Sequence, residues 1–315
     1  MTVFSPVPPG SATRRRFAIH LALAGTAAVV STVVSSPARA DDKAAPSKPP
    51  VGHLLWPAGK APIGEGKFED ANAKITVHQP DSPNGTALVI CPGGGYGGLV
   101  TGGEGTGIAQ WLNRNGITGI VLEYRLPRGR KTVPLSDAQR ALRTARAKAA
   151  EWGIRPDRLG IIGFSAGGHL ASTAATHFDA GDPAANDPVE RQSSRPDFAI
   201  LVYPVISMGD IGHGGSRHNL LGSQPTPEEI AFFSNELQVT GKTPPTYLTH
   251  ALNDTVVVPA NSRAFHEALK KHNVPTEYLE LPSGGHGLNG YKGPMWDAWQ
   301  AGSLKWLAAQ KLVGG

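Results

Sequence analysis

The sequence predicts an α/β chain, with a mostly parallel sheet and helices on both faces. Strand-like and helix-like runs alternate along most of its length, the pattern of successive β-α-β units. The chain has 315 residues, 40% of them apolar and 17% charged, which is a globular composition with a sizeable core. No internal repeat and no shift in composition marks a second domain.

The first elements are short β-branched runs, "KITVH" and "TALVIC". A helix-like "GIAQWLNRN" follows and is stopped by Gly116. Then come the strand "ITGIVLEY", a helix from Leu135 to Trp152, and the strand "RLGIIGF". A helix is expected from just after Ser165 to Thr176, followed by the strands "DFAILVYPV" and "PTYLTH". The helix "ANSRAFHEALKKH", the strand "TEYLEL" and the helix "MWDAWQAGSLKWLAAQKL" close the chain. Between Ile206 and Pro245 the alternation breaks. That segment is polar, rich in Gly, Pro and His, and reads as an insertion over the edge of the sheet.

The N-terminus reads separately. Residues 1–40 have a basic start, a moderately apolar middle and Ala38-Arg39-Ala40 as a small-x-small cleavage site, so they are expected to be an export signal. Arg14, Arg15 and Arg16 before Phe17 resemble a twin-arginine signal, and Asp41 is the expected first mature residue. The competing reading is a membrane anchor, but His20, Gly25 and several Thr and Ser weaken the apolar run. No other stretch approaches the ~20 apolar residues of a membrane span. Residues 41–51, opening "DDKAAPSKPP", read as a linker, which leaves 52–315 as the folded domain.

The formal charge of +5 depends on the signal segment. Without Arg14, Arg15, Arg16 and Arg39 the balance is 26 basic to 25 acidic residues, which gives no electrostatic case for a nucleic-acid partner. The one cysteine, Cys91, excludes an intramolecular disulfide and a cysteine-based metal site.

The chemistry-bearing stretch is Gly163 to Ser172, "GFSAGGHLAS". It is a G-x-S-x-G motif between a strand and a helix. That context lets a sharp turn hold Ser165 up as a nucleophile, with glycines where side chains would collide. A plain strand-to-helix turn shows the same five residues, so partners are required. A serine hydroxyl needs a base, and the base needs an orienting acid. In this topology they follow in the order Ser, Asp or Glu, His. Asp254 is the only acid in "ALNDTVVVP", after one later strand, and His286 lies in "PSGGHGLNG", after the next. Ten histidines follow residue 40, and only His286 sits in a loop after the last strand with glycines on both sides. Backbone N–H groups of Gly94 and Gly95 in "CPGGGYGG", with that of Ala166, are the expected oxyanion hole. The glycine spacing is not that of a dinucleotide site, and no cofactor is expected.

Other residues take plainer readings. His169 is expected to pack or cap, and Arg125 with Asp137 to form a structural ion pair. Tyr96, at the mouth of the glycine loop, is a candidate contact for the acyl or sugar part of a substrate. Glu104 is either a substrate contact or a carboxylate that fixes the loop. A metal site built from His177, His213 and His218 is not expected.

Through "PGGGYGGL", "EYRL", "DAQRALR", "GFSAGGHLAS", "NDTVVVP" and "GGHG", the chain from about 52 to 312 resembles the α/β-hydrolase superfamily. Within it, the resemblance is to secreted bacterial esterases of the acetyl-xylan and feruloyl type. It implies an eight-stranded sheet, metal-free ester hydrolysis, and Ser165, Asp254 and His286 as the triad. It also implies a small acyl ester, with acetyl groups on plant-type polysaccharide or oligosaccharide as substrate, and a periplasmic or extracellular location. A peptidase, an amidase or a general carboxylesterase on the same fold is the alternative. The related lipase-type loop begins H-G-G-G. Here Pro92 stands at the histidine, so the contacts that support the loop are expected to differ.

Overall fold

Ten strands and eight helices are formed by residues 48–313, the part of the chain that the computed structural model describes. In chain order the strands are β1 (Val51–Leu54), β2 (Ala61–Gly64), β3 (Lys67–Glu69), β4 (Lys74–His78), β5 (Ala87–Cys91), β6 (Thr118–Glu123), β7 (Leu159–Phe164), β8 (Phe198–Val202), β9 (Thr246–Ala251) and β10 (Thr276–Leu281). The helices are α1 (Gly107–Arg114), α2 (Val133–Ala147), α3 (Ser165–Thr176), α4 (Gly214–Leu221), α5 (Pro227–Phe233), α6 (Ala260–Lys271), α7 (Leu288–Tyr291) and α8 (Pro294–Ala309). The export-signal reading of residues 1–40 lies outside the described residues.

Eight strands form one sheet in the order β1-β4-β6-β5-β7-β8-β9-β10. β4 pairs antiparallel with β1 and β6, and every other pairing is parallel. The expected mostly parallel, eight-stranded single domain is therefore found. β5, β7, β8 and β9 are buried along their whole length. That explains their continuous apolar runs, because parallel strands are covered on both faces. On one face Leu142, Leu170, Phe265 and Leu269 bring α2, α3 and α6 onto the sheet. On the other, Ile108, Trp111, Trp299 and Trp306 do the same for α1 and α8.

Several details differ from expectation. Val51, placed in the linker by sequence, opens β1. β2 and β3 form a separate two-stranded sheet, too short to give a periodic signal. The helix expected from Leu135 to Trp152 runs from Val133 to Ala147, and residues 148–153 continue as hydrogen-bonded turns that end at Gly153 with φ 65°. The insertion between β8 and β9 carries α4 and α5. α5 starts at a capping box in which Thr226 and Glu229 satisfy each other's backbone N–H groups.

That insertion is bolted down at both ends. The Asn261 side chain accepts from the N–H groups of Ile206 and Ser207 at 2.9 and 3.1 Å, and donates to the carbonyl of Ile211 at 2.7 Å. The buried Asn235 donates to the His169 carbonyl, Ser172 Oγ and Thr173 Oγ1 on α3, at 3.1, 2.7 and 3.0 Å. Arg125 and Asp137 form the expected buried ion pair, 2.7 Å at its shortest, and the Trp56 indole N–H also donates to Asp137. Among the described residues no helix is long and apolar enough to cross a membrane.

Candidate active site

Parallel strands end on the same side of a sheet, so their following loops converge. Here β5 leads to Gly93–Gly95, β7 to Ser165, β8 to Tyr203, β9 to Asp254 and β10 to His286.

Ser165 takes φ 53°, a left-handed backbone that a serine rarely adopts. The motif glycines make this turn possible. A Cβ on Gly163 would lie 2.1 Å from the Gly167 carbonyl oxygen, and one on Gly167 would lie 2.1 Å from that of Cys91. Neither contact is sterically possible, so the tight turn between β7 and α3 needs both glycines.

His286 Nε2 is 2.9 Å from Ser165 Oγ, and its Nδ1 donates to Asp254 Oδ2 at 2.8 Å. The structure thus brings all three residues into one hydrogen-bonded line. Asp254 is buried, and burial alone would raise its pKa. Hydrogen bonds from His250 and His286, the charge of His286 when protonated, and the Val257 N–H outweigh that and hold the carboxyl well below the usual range.

His250 was not anticipated from the sequence. It is the last residue but one of β9 and is fully buried. Its Nε2 lies 2.8 Å from the Val257 carbonyl and 3.3 Å from Asp254 Oδ2. A carbonyl only accepts, so Nε2 carries the proton and Nδ1 accepts from Ser262 Oγ at 2.8 Å. Asp254 is therefore held by two histidines. The only signal in the sequence was a histidine four residues upstream, at the end of an apolar strand.

The glycine loop lies beside the serine. Among the described residues, Gly94 N–H and Gly95 N–H have no protein acceptor, and Ala166 N–H is in the first turn of α3. These are the expected oxyanion donors. Gly93 N–H is not available, because it donates to Glu104 Oε2 at 2.7 Å. The supporting contacts do differ from the histidine-led loop. Tyr124 OH donates to the Pro92 carbonyl at 2.8 Å, and Asn219 on α4 donates to the Gly95 carbonyl at 2.8 Å.

Two expectations are corrected. Tyr96 does not face the substrate side. Its side chain is buried, its ring packs on Tyr124, and its OH bonds His169 Nδ1 at 2.8 Å. A positive φ of 60° turns it inward. Glu104 is not a substrate contact either. It is 3% exposed, and besides Gly93 it accepts from Tyr203 OH at 2.9 Å and Tyr291 OH at 3.2 Å. Of its two expected roles, the loop-fixing one fits. His169 packs as expected and donates from Nε2 to the Phe233 carbonyl at 2.7 Å, and burial lowers its pKa to about 4. Among the described residues no three His, Cys, Asp or Glu side chains gather as a metal site.

The sequence profile of the BD-FAE family matches residues 76–269. The acetylxylan esterase of Xylanibacter ruminicola is 37% identical over 225 residues, which cover 70% of this chain and 44% of that protein. This chain thus spans less than half of that relative's length. The crystal structure of an acetyl ester-xyloside bifunctional hydrolase from Caldicellulosiruptor lactoaceticus is 39% identical, with a TM-score of 0.76. That alignment covers 82% of this chain and 99% of the other. The carboxylesterase Cest-2923 of Lactobacillus plantarum is 23% identical with a TM-score of 0.67, over 85% of this chain and 100% of that one, and shares the fold. The profile match and the fold together make this chain a member of the BD-FAE family of α/β-hydrolases.

Proposed function

We propose that this protein is an exported serine esterase that removes small acyl groups, acetyl foremost, from plant-type polysaccharide or oligosaccharide through an acyl-enzyme. The observation that carries the chemistry is the line from Asp254 through His286 to Ser165, beside unspent N–H groups at Gly94 and Gly95. His286 Nε2 takes the proton of Ser165 Oγ as the oxygen attacks the ester carbonyl. The tetrahedral oxyanion accepts hydrogen bonds from Gly94, Gly95 and Ala166. Asp254 stabilises the imidazolium, which then gives its proton to the departing sugar oxygen, freeing it as a hydroxyl. Water, deprotonated by the same histidine, releases the acid and restores the serine.

The sugar side of the reading is supported by the acetylxylan esterase and acetyl ester-xyloside hydrolase relatives. Export is supported by the signal-like residues 1–40, with cleavage before Asp41 and a folded domain after the linker. The deciding assay is acetate release from acetylated xylan, beside p-nitrophenyl acetate and a matched anilide. Xylan turnover that Ser165→Ala abolishes supports the proposal. Turnover of the small ester alone makes the protein a general carboxylesterase, and faster anilide turnover makes it an amidase. Replacing Arg14 and Arg15 by lysines blocks export on the twin-arginine route, and unchanged export of that variant points to the general secretory route.

A further inference from the structure

Behind the nucleophile lies a buried carboxylate that the reaction steps above do not use. Glu104 sits in a π-helical turn, Gly102–Thr106, just before α1. A Cβ added to Gly93 would stand 2.7 Å from Glu104 Oε2 and 2.9 Å from Ser165 Cβ. The carboxylate and the nucleophile thus flank the same glycine. Its three hydrogen-bond partners come from three separate places: Gly93 in the oxyanion loop, Tyr203 after β8, and Tyr291 in the segment after His286.

Both tyrosines reach Glu104 from strained backbone. Tyr203 has φ 38° and Tyr291 has φ 65°, and Leu288 and Asn289 beside Tyr291 are also left-handed at 47° and 62°. Such conformations persist only where the surroundings impose them, and they cluster at functional sites. Tyr203 in turn lays its ring against His286, centroid to centroid 5.0 Å.

We infer that Glu104 is a positioning residue for the esterase reaction, tying the oxyanion loop to the histidine loop and keeping a fixed negative charge behind His286. The inference rests on the triad reading of Ser165, Asp254 and His286. All three partners present donors to the carboxylate, and that favours its ionised form. Burial raises its pKa above the ordinary glutamate value, and those donors together with His286 oppose the rise without cancelling it. The other groups that face His286 are Asp254 and Ser165 by hydrogen bond, Tyr203 by its ring, and His213 at the start of α4, whose charged form burial disfavours. Only Asp254 and Glu104 among them bring negative charge. A second fixed anion lowers the cost of the imidazolium that forms in each step, and it does so without moving.

The test is Glu104→Gln, assayed on p-nitrophenyl acetate from pH 5 to 9. Glutamine keeps the size and an acceptor for Gly93 but removes the charge. Activity needs neutral His286, and a nearby anion favours its protonated form. Removing the anion therefore moves the acid limb of kcat/KM to lower pH, by roughly half a unit or more. The variant's kcat falls about 10-fold with KM within about twofold, since the loss falls on the transition state. Should Glu104→Gln fail to fold, Tyr203→Phe with Tyr291→Phe serves in its place. Loss of both donors raises the Glu104 pKa, discharges it at mildly acidic pH and moves the limb in the same direction. An acid limb that stays in place in the variant that folds overturns the inference. Full activity of Ser165→Ala would instead remove the triad reading on which it rests.

Discussion

Asn219 Nδ2 donates a 2.8 Å hydrogen bond to the carbonyl oxygen of Gly95. Asn219 belongs to the insertion and Gly95 to the glycine loop proposed to hold the oxyanion. The bond fixes the Gly95–Tyr96 peptide, while the N–H of Gly95 stays free. Asn219→Ala is expected to lower kcat by about 10-fold while leaving KM within about twofold, the signature of an interaction used only in the transition state. Steady-state kinetics on p-nitrophenyl acetate read this directly. A variant that raises KM at unchanged kcat would make Asn219 a substrate contact instead.

Ser165→Ala should fold as the wild type does and lose at least about 10³-fold in kcat, because triad members act as a unit. Asp254→Asn should cost several orders of magnitude by favouring the wrong imidazole tautomer. Retention of a tenth of wild-type turnover in the purified serine variant would disprove its role as nucleophile.

His250 should matter without touching substrate. His250→Gln keeps a donor near Asp254, and His250→Leu keeps bulk but no donor. The leucine variant is expected to lose about 10- to 100-fold in kcat, and the glutamine variant less. Equal activity in the two variants would show that His250 only fills space.

His169 makes stability depend on pH. Its pKa is about 4 in the folded chain, against about 6.5 when unfolded. Between those values the unfolded chain binds the proton and the folded one does not. Stability is thus fully present above about pH 6.5 and falls as the pH drops toward 4. The loss is on the order of 3 kcal/mol. Urea unfolding of the wild type and of His169→Gln at several pH values measures the difference. Parallel curves for the two proteins would assign the acid sensitivity elsewhere.

Acyl preference follows from the insertion. Its sequence is polar for most of its length, with apolar residues in short clusters such as Leu220-Leu221 and Phe232-Phe233. Leu220, Leu221 and Phe233 are buried in the core rather than turned toward a substrate. An apolar trough would add about 0.8 kcal/mol per buried methylene. If the insertion offers none, kcat/KM should be higher for p-nitrophenyl acetate than for the octanoate, compared below the micelle concentration. A clear preference for octanoate would rule out a small acyl group.

The frame of the site was legible because its signals are local. "LGIIGFSAGGHLAS" carries the strand, the turn and the helix in one stretch, and crowding at Gly163 and Gly167 leaves little alternative. Asp254 and His286 were found by order along the chain, which the parallel topology converts into proximity. Tyr96 was misplaced, and the role of Glu104 left open, for the opposite reason. Both are near the serine in sequence-derived topology, but which way each side chain turns depends on partners far along the chain, His169 for one and Tyr203 and Tyr291 for the other. Asn219 and His250 went unseen because neither belongs to a motif. The two-stranded sheet and β1 were missed because three or four mostly exposed residues carry no alternation. The capping box from Thr226 to Glu229 marks the start of α5, but the polar composition around it carries no helical periodicity.

The clamps at Asn235 and Asn261 have a meaning for how the proposed esterase meets insoluble material. A lipase with a hinged cover is switched on by an oil–water interface, which rewards the exposure of apolar surface. Here the insertion is fastened to α3 and to α6 through buried amides. An interface has nothing to pry open. Rate should therefore follow dissolved ester smoothly, with no jump as the substrate passes its solubility limit.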